Sequence, residues 1–297
     1  MRFVVAGASG FLGTALRDHV ARDGHEVVRL VRGEPVSPQE SRWDPSLGEV
    51  DQEVVERADV VVNLAGAPIA HWPWTESYQR KLLESRVATT GTLARAVAAA
   101  ATRPVLLAQN GIAGYGDRGD EVLTEDSSTD APTALGKVTR AWEDATRPAR
   151  DAGARVCVMR TSVVLDRRGG ALKAMLLPFR LGLGGPLGSG EQYFATISLT
   201  DWLRAVSHLA GNEGSEGAYN LAGPNTTTNR EFTRELGRLL NRPTVLPAPA
   251  RPIRMVLGEL SNELLGSARV EPARLQDEGF AFEHTTVGSR LDAGLNP

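Results

Sequence analysis

A glycine-rich turn directly behind a short apolar run is the feature that most constrains this chain. Residues 4–16 read VVAGASGFLGTAL, with glycines at positions 7, 10 and 13. The run before them, RFVVA (2–6), is typical of a buried strand, and Leu12, Leu16 and Val20 follow at helical spacing on one face. A strand, a glycine turn and a helix in that order predict a βαβ unit that binds a dinucleotide.

Each of the three glycines has its own role in such a turn. Gly7 permits the sharp change of direction, Gly10 lets the backbone approach a phosphate, and Gly13 lets the helix pack close to the strand. Backbone N–H groups and the helix N-terminus can then bind a pyrophosphate. A turn with a purely structural role is the alternative, and the βαβ context favours the nucleotide site.

The end of the second predicted strand, EVVRLV (26–31), indicates which dinucleotide is bound. An acidic residue there would accept hydrogen bonds from the ribose 2′-hydroxyl of NAD. This chain has Arg32 instead, and an arginine can bind a 2′-phosphate through paired charge-assisted hydrogen bonds. We therefore predict NADP(H) as the cofactor. Arg29 is expected to point to the other side of the strand, as a surface residue.

Strand-like and helical patterns alternate through the first half of the chain. Further apolar runs are DVVVNLAG (59–66), RPVLLAQ (103–109), ARVCVMR (154–160) and GAYNLAG (217–223). Near-continuous apolar strands separated by helices indicate a parallel sheet that is buried on both faces. The predicted fold is α/β, a Rossmann-type doubly wound parallel sheet with a smaller C-terminal subdomain on the substrate side.

The alternation of strand-like and helical patterns becomes irregular after residue 165, and this change sets the predicted domain boundaries. Residues 1–165 form the NADP-binding Rossmann domain, and later segments at about 195–241 return to it. Residues 166–194 are interpreted as a glycine-rich substrate loop, because GLGGPLGSGEQ (182–192) is too irregular for a helix or strand. Residues 242–297 are predicted to form a small helical C-terminal domain, which begins with the proline-rich stretch RPTVLPAPARP (242–252).

Composition excludes several classes of protein. The 297 residues carry a formal net charge of -3, and no polybasic run suggests nucleic acid or a membrane surface as a partner. The single cysteine, Cys157, is interpreted as a buried strand residue, which suits a reducing compartment. The five histidines show no metal spacing, so no metal is expected. We expect a cytoplasmic monomer or homodimer that acts on a small molecule.

Several longer motifs carry a resemblance to a known family. The G-x-x-G-x-x-G spacing and NLAG resemble segments of the short-chain dehydrogenase/reductase superfamily. With NLAGAPIA (63–70), RTSVVL (160–165), MLLPFRLGLGGPLGSGEQ (175–192) and a tail beginning VLGELSNELLG (256–266), the chain resembles atypical extended members of that superfamily. These are the nucleoside-diphosphate-sugar epimerase-like proteins with a C-terminal domain of unknown function.

The resemblance implies which residues contact NADP(H). It places Gly7, Gly10, Phe11, Leu12 and Gly13 at the pyrophosphate and Val31 with Arg32 at the 2′-phosphate ribose. It places Leu64, Ala65 and Gly66 near the adenosine half and Val164 near the nicotinamide. Arg86 matches the S-R motif of the family, and Lys81, on the same predicted helix, is implied less directly.

The catalytic pair of the superfamily, Tyr-x-x-x-Lys, is missing from this chain. Lys137 has Thr133 four residues before it, and the strand-end position that usually holds Ser or Thr is Asn110. An amide can hold a carbonyl but cannot act as an acid. Tyr115 is the nearest phenol in sequence, although a structural aromatic is the favoured interpretation. The catalytic residues are therefore unknown, with Asn110 and Tyr115 as weak candidates.

Two functions remain open at this point. The first is an NADP(H)-dependent oxidoreductase or epimerase-like enzyme that acts on a small molecule, with sugar nucleotides as one candidate class. The second is an NADP(H)-binding sensor or scaffold with little or no turnover, which the missing Tyr-x-x-x-Lys pair favours.

Overall fold

The apolar runs of the sequence form the strands of one large sheet. We describe a computed structural model that covers residues 1–69 and 71–297, so Ala70 at the end of the NLAGAPIA motif lies outside the described residues. The strands are, in chain order, β1 (Arg2–Ala6), β2 (Glu26–Val31), β3 (Glu40–Asp44), β4 (Glu49–Val50), β5 (Val60–Asn63), β6 (Val105–Gly111), β7 (Val122–Leu123), β8 (Val156–Thr161), β9 (Val163–Leu165), β10 (Tyr193–Phe194), β11 (Thr196–Ser198), β12 (Gly217–Leu221), β13 (Thr227–Thr228) and β14 (Arg269–Val270).

Helices occupy most of the connections between these strands. In chain order they are α1 (Phe11–Arg22), α2 (Gln52–Glu56), α3 (Glu76–Ala99), α4 (Ala134–Asp144), α5 (Arg147–Asp151), α6 (Gly170–Arg180), α7 (Leu199–Gly211), α8 (Asn229–Leu240), α9 (Ala250–Leu257), α10 (Ser261–Leu265), α11 (Ala273–Asp277) and α12 (Val287–Leu295). None of the helices in the described part of the chain is both long enough and apolar enough to span a bilayer.

The large sheet has eight strands in the order β12-β8-β6-β5-β1-β2-β3-β4. Strand β1 pairs in parallel with β2 on one side and with β5 on the other, and β5 pairs in parallel with β6. The short edge strand β4 returns along β3 and is antiparallel to it. The central strands are buried on both faces, as the near-continuous apolar runs predict. The doubly wound α/β class is thereby confirmed.

The structure differs from the sequence-based expectations at two places. Strands β3 and β4 extend the sheet beyond β2, in a stretch where the sequence shows no long apolar run. The segment 166–194, expected to be a loop throughout, contains helix α6, whose Leu172, Leu176 and Phe179 are buried at helical spacing. The glycine-rich stretch 182–192 follows that helix and is irregular, as predicted.

The chain forms two compact units, each built from three segments. The first unit comprises residues 1–110, 138–159 and 206–218, and the second comprises residues 111–137, 160–205 and 219–297. Apolar side chains of the central strands and of α3 form the core of the first unit. Separate clusters around Phe232 and around Tyr115 form the core of the second unit. The boundaries predicted at residues 165 and 242 for functional domains stay a prediction.

Candidate cofactor site

The turn after β1 leaves no room for side chains at two of its glycines. Gly7 has a φ of +77°, and a Cβ there would lie 2.7 Å from the carbonyl carbon and oxygen of Leu64. A Cβ on Gly13 would overlap the carbonyl oxygen of Gly7. The N–H of Gly10 donates to that same oxygen at 3.0 Å, which closes the turn. The close approach of turn and helix expected from the sequence is therefore present.

Helix α1 begins at this turn without a capping side chain. Its N-cap is Gly10, which has no side chain to accept hydrogen bonds from the first-turn N–H groups of Phe11 and Leu12. Such N–H groups and the positive end of the helix dipole favour an anion. The turn thus has the geometry of a phosphate-binding N-terminus.

The parallel register brings the other predicted contacts to the same edge of the sheet. Ala6, the last residue of β1, is paired with Leu30 of β2 and with Asn63 of β5. Asn63 is in turn paired with Ala108 of β6. The residues that follow each of these positions, namely Gly7, Val31 with Arg32, Leu64 to Gly66, and Asn110, therefore lie at the carboxyl edge of the first unit.

Arg32 is exposed, and its side chain has no hydrogen bond or ion pair within residues 1–69 and 71–297. The two arginines closest to it in the strands are both paired. Arg29 contacts Glu40 at 2.8 Å, and Arg42 of β3 contacts Glu34 at 2.8 Å. Arg29, expected to be a surface residue, is half-buried and paired with Glu40, and Arg32 remains available for a ligand anion.

A buried amide fixes the shape of the loop after β5. The Asn63 Nδ2 group donates to Thr90 Oγ1 at 2.7 Å, and its Oδ1 accepts from the N–H of Ala65 at 3.0 Å. Thr89 Oγ1 donates to the carbonyl oxygen of Ala65 at 3.2 Å. Sequence reasoning did not assign Thr89 and Thr90 to this site, although neighbouring threonines on the buried side of a helix are a signal of this kind.

Arg86 of α3 lies against the next residue of that loop. A Cβ on Gly66 would lie 3.3 Å from Arg86 Cγ, and the Arg86 guanidinium lies over the ring of Trp142 with Cζ 4.8 Å from the centroid. The Arg86 side chain is buried, donates to the Leu82 carbonyl at 3.2 Å and has no carboxylate partner among the described residues. Burial lowers its pKa to about 10. A buried cation without a counter-ion is suited to hold an anion.

The other residues implied by the resemblance lie apart from this loop. Lys81 is exposed on α3, with Nζ 6.0 Å from the centroid of the Tyr78 ring. Val164 is buried in β9 of the second unit, where it is in register with Ile197 of β11. Their roles toward a cofactor stay predictions.

The two weak catalytic candidates are both buried and hydrogen-bonded. Asn110 lies near the end of β6, and its Nδ2 donates to the Thr139 carbonyl at 3.0 Å. Tyr115 belongs to the second unit and is 1% exposed. Its hydroxyl donates to Asn220 Oδ1 at 2.8 Å and accepts from Arg160 Nη1 at 3.0 Å. Burial raises the pKa of this phenol. These contacts suit a structural role better than proton donation to a substrate.

A largely parallel sheet with a glycine turn at the carboxyl end of its first strand defines a Rossmann-type protein. Residues 3–222 match the NAD dependent epimerase/dehydratase family, and residues 248–293 match a domain of unknown function, DUF1731. The chain belongs to the epimerase family. The resemblance inferred from the motifs is therefore confirmed.

Known relatives cover the chain from end to end. An epimerase family protein of Mycobacterium tuberculosis is 40% identical over 97% of this chain and 95% of its own length. The crystal structure of human epimerase family protein SDR39U1 with NADPH has a TM-score of 0.90 at 34% identity, covering 99% of both chains. MoeE5 in complex with UDP-glucuronic acid and NAD shares the fold, with a TM-score of 0.76 at 20% identity and coverage of 99% and 97%.

Proposed function

We propose that this chain binds NADP(H) at the glycine turn and acts as an oxidoreductase or epimerase-like enzyme on a small molecule. The residues of the turn fit the pyrophosphate of such a cofactor, which supports this proposal. Gly7 and Gly13 exclude side chains from the turn, and the first turn of α1 offers uncapped N–H groups to a pyrophosphate. The NADPH in the structure of the human relative agrees with the proposal.

The observation that favours NADP(H) over NAD(H) as the cofactor is that Arg32 has no ion pair among the described residues. An exposed arginine without a carboxylate partner among the described residues, at the end of β2, can bind the phosphate that distinguishes the two cofactors. Because NAD is bound in MoeE5, which has the same fold, the fold alone does not select the cofactor. Arg32 is therefore the residue on which the selection rests.

Further residues of the first unit would hold the rest of the cofactor. The main chain at Leu64, Ala65 and Gly66 would line the adenosine half, in the conformation that Asn63 fixes. Arg86 would contribute positive charge beside Gly66. When bound, NADP(H) supplies or accepts a hydride. The substrates that we propose are small molecules with a carbonyl group or an oxidisable hydroxyl group, and sugar nucleotides are one class of the latter.

A second candidate function is NADP(H) binding with little turnover, as in a sensor. It is favoured by the contacts of Asn110 and Tyr115, because both side chains are buried and bonded to protein groups. The described residues near them offer no phenol and lysine pair at the spacing of Tyr-x-x-x-Lys. In this case the chain would hold the cofactor without a proton donor for its substrate.

Binding and turnover measurements separate these possibilities. Calorimetric titration of the protein with NADPH and with NADH should give tighter binding of NADPH by roughly tenfold to hundredfold, as expected for a charge-assisted contact. Equal affinities would contradict the assignment of Arg32. Oxidation of bound NADPH is then followed with carbonyl compounds, and sugar nucleotides are incubated with the NADP+-bound protein and analysed for reduction of NADP+ and for epimer formation. Turnover with any member supports the enzyme, and tight binding without turnover in any of these assays supports the sensor.

A further inference from the structure

We infer that the second unit binds the surface of an anionic lipid bilayer. The surface concerned consists of the exposed side of α6 with the turn that follows it, and of residues 242–257, which include α9; we call it the basic apolar face. It combines exposed large apolar side chains with cations that have no ion pair among the described residues, and neither segment contributes a carboxylate.

Backbone hydrogen bonds hold the two segments of this face side by side. The N–H of Gly188 donates to the Ala248 carbonyl at 2.8 Å, and the N–H of Ala248 donates to the Pro186 carbonyl at 2.9 Å. Arg242 Nε donates to the Arg180 carbonyl at 2.8 Å. The end of α6 and the start of the 242–257 segment are therefore neighbours.

The α6 half of the face presents an exposed stripe. Lys173, Leu177 and Leu181 follow one another at intervals of four residues, so they lie on one side of the helix and its first following turn. The opposite side of α6 is buried in the core. Leu183, just beyond the helix, is exposed as well.

The second half of the face is formed by Val245, Leu246, Met255 and Val256. Together with the three leucines of the α6 half, these side chains are 53–86% exposed. None of the residues of α9 is fully buried. Large apolar side chains that are exposed together on two neighbouring segments favour an interaction site.

The charge of the face is opposite to that of the rest of the protein. Residues 170–188 and 242–257 contain five cations and no Asp or Glu, which leaves 28 Lys and Arg against 36 Asp and Glu elsewhere. None of the five cations has an ion pair within residues 1–69 and 71–297. Some surface arginines elsewhere, such as Arg57 and Arg238, are paired with carboxylates, and others, such as Arg32, are not, so the distinctive property of the face is its lack of Asp and Glu. The face is thus complementary to a surface that presents many negative charges.

Two properties favour a bilayer as the occupant. Small-molecule sites are concave and bury most of their ligand, whereas the apolar side chains here project outward from the protein. Cations without ion pairs accompany those side chains and carboxylates do not, a combination that suits the boundary between headgroups and acyl chains of an anionic bilayer. A short amphipathic helix with apolar and basic residues is the usual element of interfacial binding to anionic lipid.

The linear sequence alone predicts no membrane contact, because it contains no polybasic run. The five cations belong to two segments that are far apart in the chain, and the backbone pairing between Pro186 and Ala248 makes these segments neighbours. The inference therefore depends on the fold and is independent of the cofactor.

Vesicle co-sedimentation of the full-length protein tests this inference. We expect binding to phosphatidylcholine vesicles that contain phosphatidylglycerol, much weaker binding to phosphatidylcholine alone, and a decrease as salt is raised. The double variant Arg251→Glu/Arg254→Glu should lose roughly tenfold or more of the binding to anionic vesicles. Met255→Ser should also weaken it, since apolar contact is lost.

Matched variants elsewhere on the surface serve as controls. Arg17→Glu/Arg57→Glu changes the net charge by the same amount, and Val36→Ser replaces a side chain that is 86% exposed, as Met255 is. Both should bind like the wild type. Equal binding to neutral and anionic vesicles, or equal losses in the control variants, would overturn the inference. So would a dimer in sedimentation equilibrium that Met255→Ser dissociates, because a second copy would then cover the face.

Discussion

The guanidinium of Arg86 and the indole of Trp142 are stacked, with Cζ 4.8 Å from the ring centroid. The same indole donates its Nε1–H to Thr90 Oγ1 at 2.8 Å, and that oxygen also accepts from Asn63 at 2.7 Å. One aromatic residue of α4 therefore supports both the buried cation and the amide that shapes the loop after β5. It is a positioning residue for the candidate cofactor site.

The first prediction concerns this indole. Trp142→Phe keeps a ring face for Arg86 and removes the hydrogen bond to Thr90, so the free energy of unfolding should fall by about 1 kcal/mol or more in urea titrations. Trp74→Phe is the control, because its Nε1–H bonds to the Ile69 carbonyl at the surface. That control should change stability by less than about 0.5 kcal/mol. Equal losses in both variants would contradict the prediction.

The second prediction concerns cofactor choice. Arg32→Asp should weaken NADPH by roughly tenfold to hundredfold or more and leave NADH little changed, because it removes the cation and adds a charge that repels the 2′-phosphate. Calorimetry with both cofactors measures this. Arg57→Asp, three residues before β5 at the opposite end of that strand, is the charge-matched control and should affect neither. Equal weakening of NADPH and NADH in Arg32→Asp would refute the assignment.

The third prediction separates structure from catalysis at Tyr115. Tyr115→Phe removes a buried hydrogen-bond partner from Arg160 and from Asn220, so the free energy of unfolding should fall by about 1–3 kcal/mol. NADPH affinity, and kcat with any substrate found, should be unchanged. Tyr193→Phe is the control, since no hydrogen bond of its hydroxyl is present in the described part of the chain. A loss of kcat in Tyr115→Phe without a loss of stability would identify the phenol as a proton donor.

The fourth prediction is a pH dependence of stability. Burial raises the pKa of Glu263 from 4.5 to about 7, and this side chain has no hydrogen bond or ion pair within the described residues. The folded chain thus keeps a proton that the unfolded chain loses between those values, and stability should fall as pH rises through that window. Glu263→Gln should be more stable than the wild type above pH 7, by up to about 3 kcal/mol, and equal to it below pH 4.5.

Urea titrations at both ends of the window measure the effect. Glu259→Gln, an exposed neighbour on the same segment, is the matched control and should show the wild-type pH profile. An unchanged profile in Glu263→Gln would show that the carboxyl is solvated in solution.

The fold was largely predictable because its strands are apolar and continuous. Strands β1 and β2 have the bounds expected from RFVVA and EVVRLV, and helix α8 begins after Thr228, whose spacing from Glu231 is that of a capping box. Strand β3 was not predictable, because it has only five residues, ESRWD, and of its two buried residues, Ser41 and Trp43, only Trp43 is apolar. The pairing with β2, not local propensity, makes it a strand.

Of the candidate site, the sequence predicts the main-chain turn but not the buried side chains that support it. The glycine turn follows from three residues, whereas Leu83 and Val87, which are four residues apart and suggest a buried stripe of α3, are half-buried and exposed, respectively. The buried face of α3 contains Leu82 and Arg86 instead, because a cation that stacks on Trp142 can occupy a core position. A hydrophobic pattern cannot indicate a buried arginine. The position of Arg86 depends on its contact with Trp142, which only the three-dimensional structure shows.

The order of the segments in the two units limits how this protein can change during evolution. Each unit is assembled from three stretches, so the polypeptide passes between the units five times. No single cut or fusion point can separate them, and recombination at one junction cannot exchange the second unit for another. Change in this architecture must come through point substitutions and loop insertions, because the first unit is completed by stretches encoded after the second unit has begun.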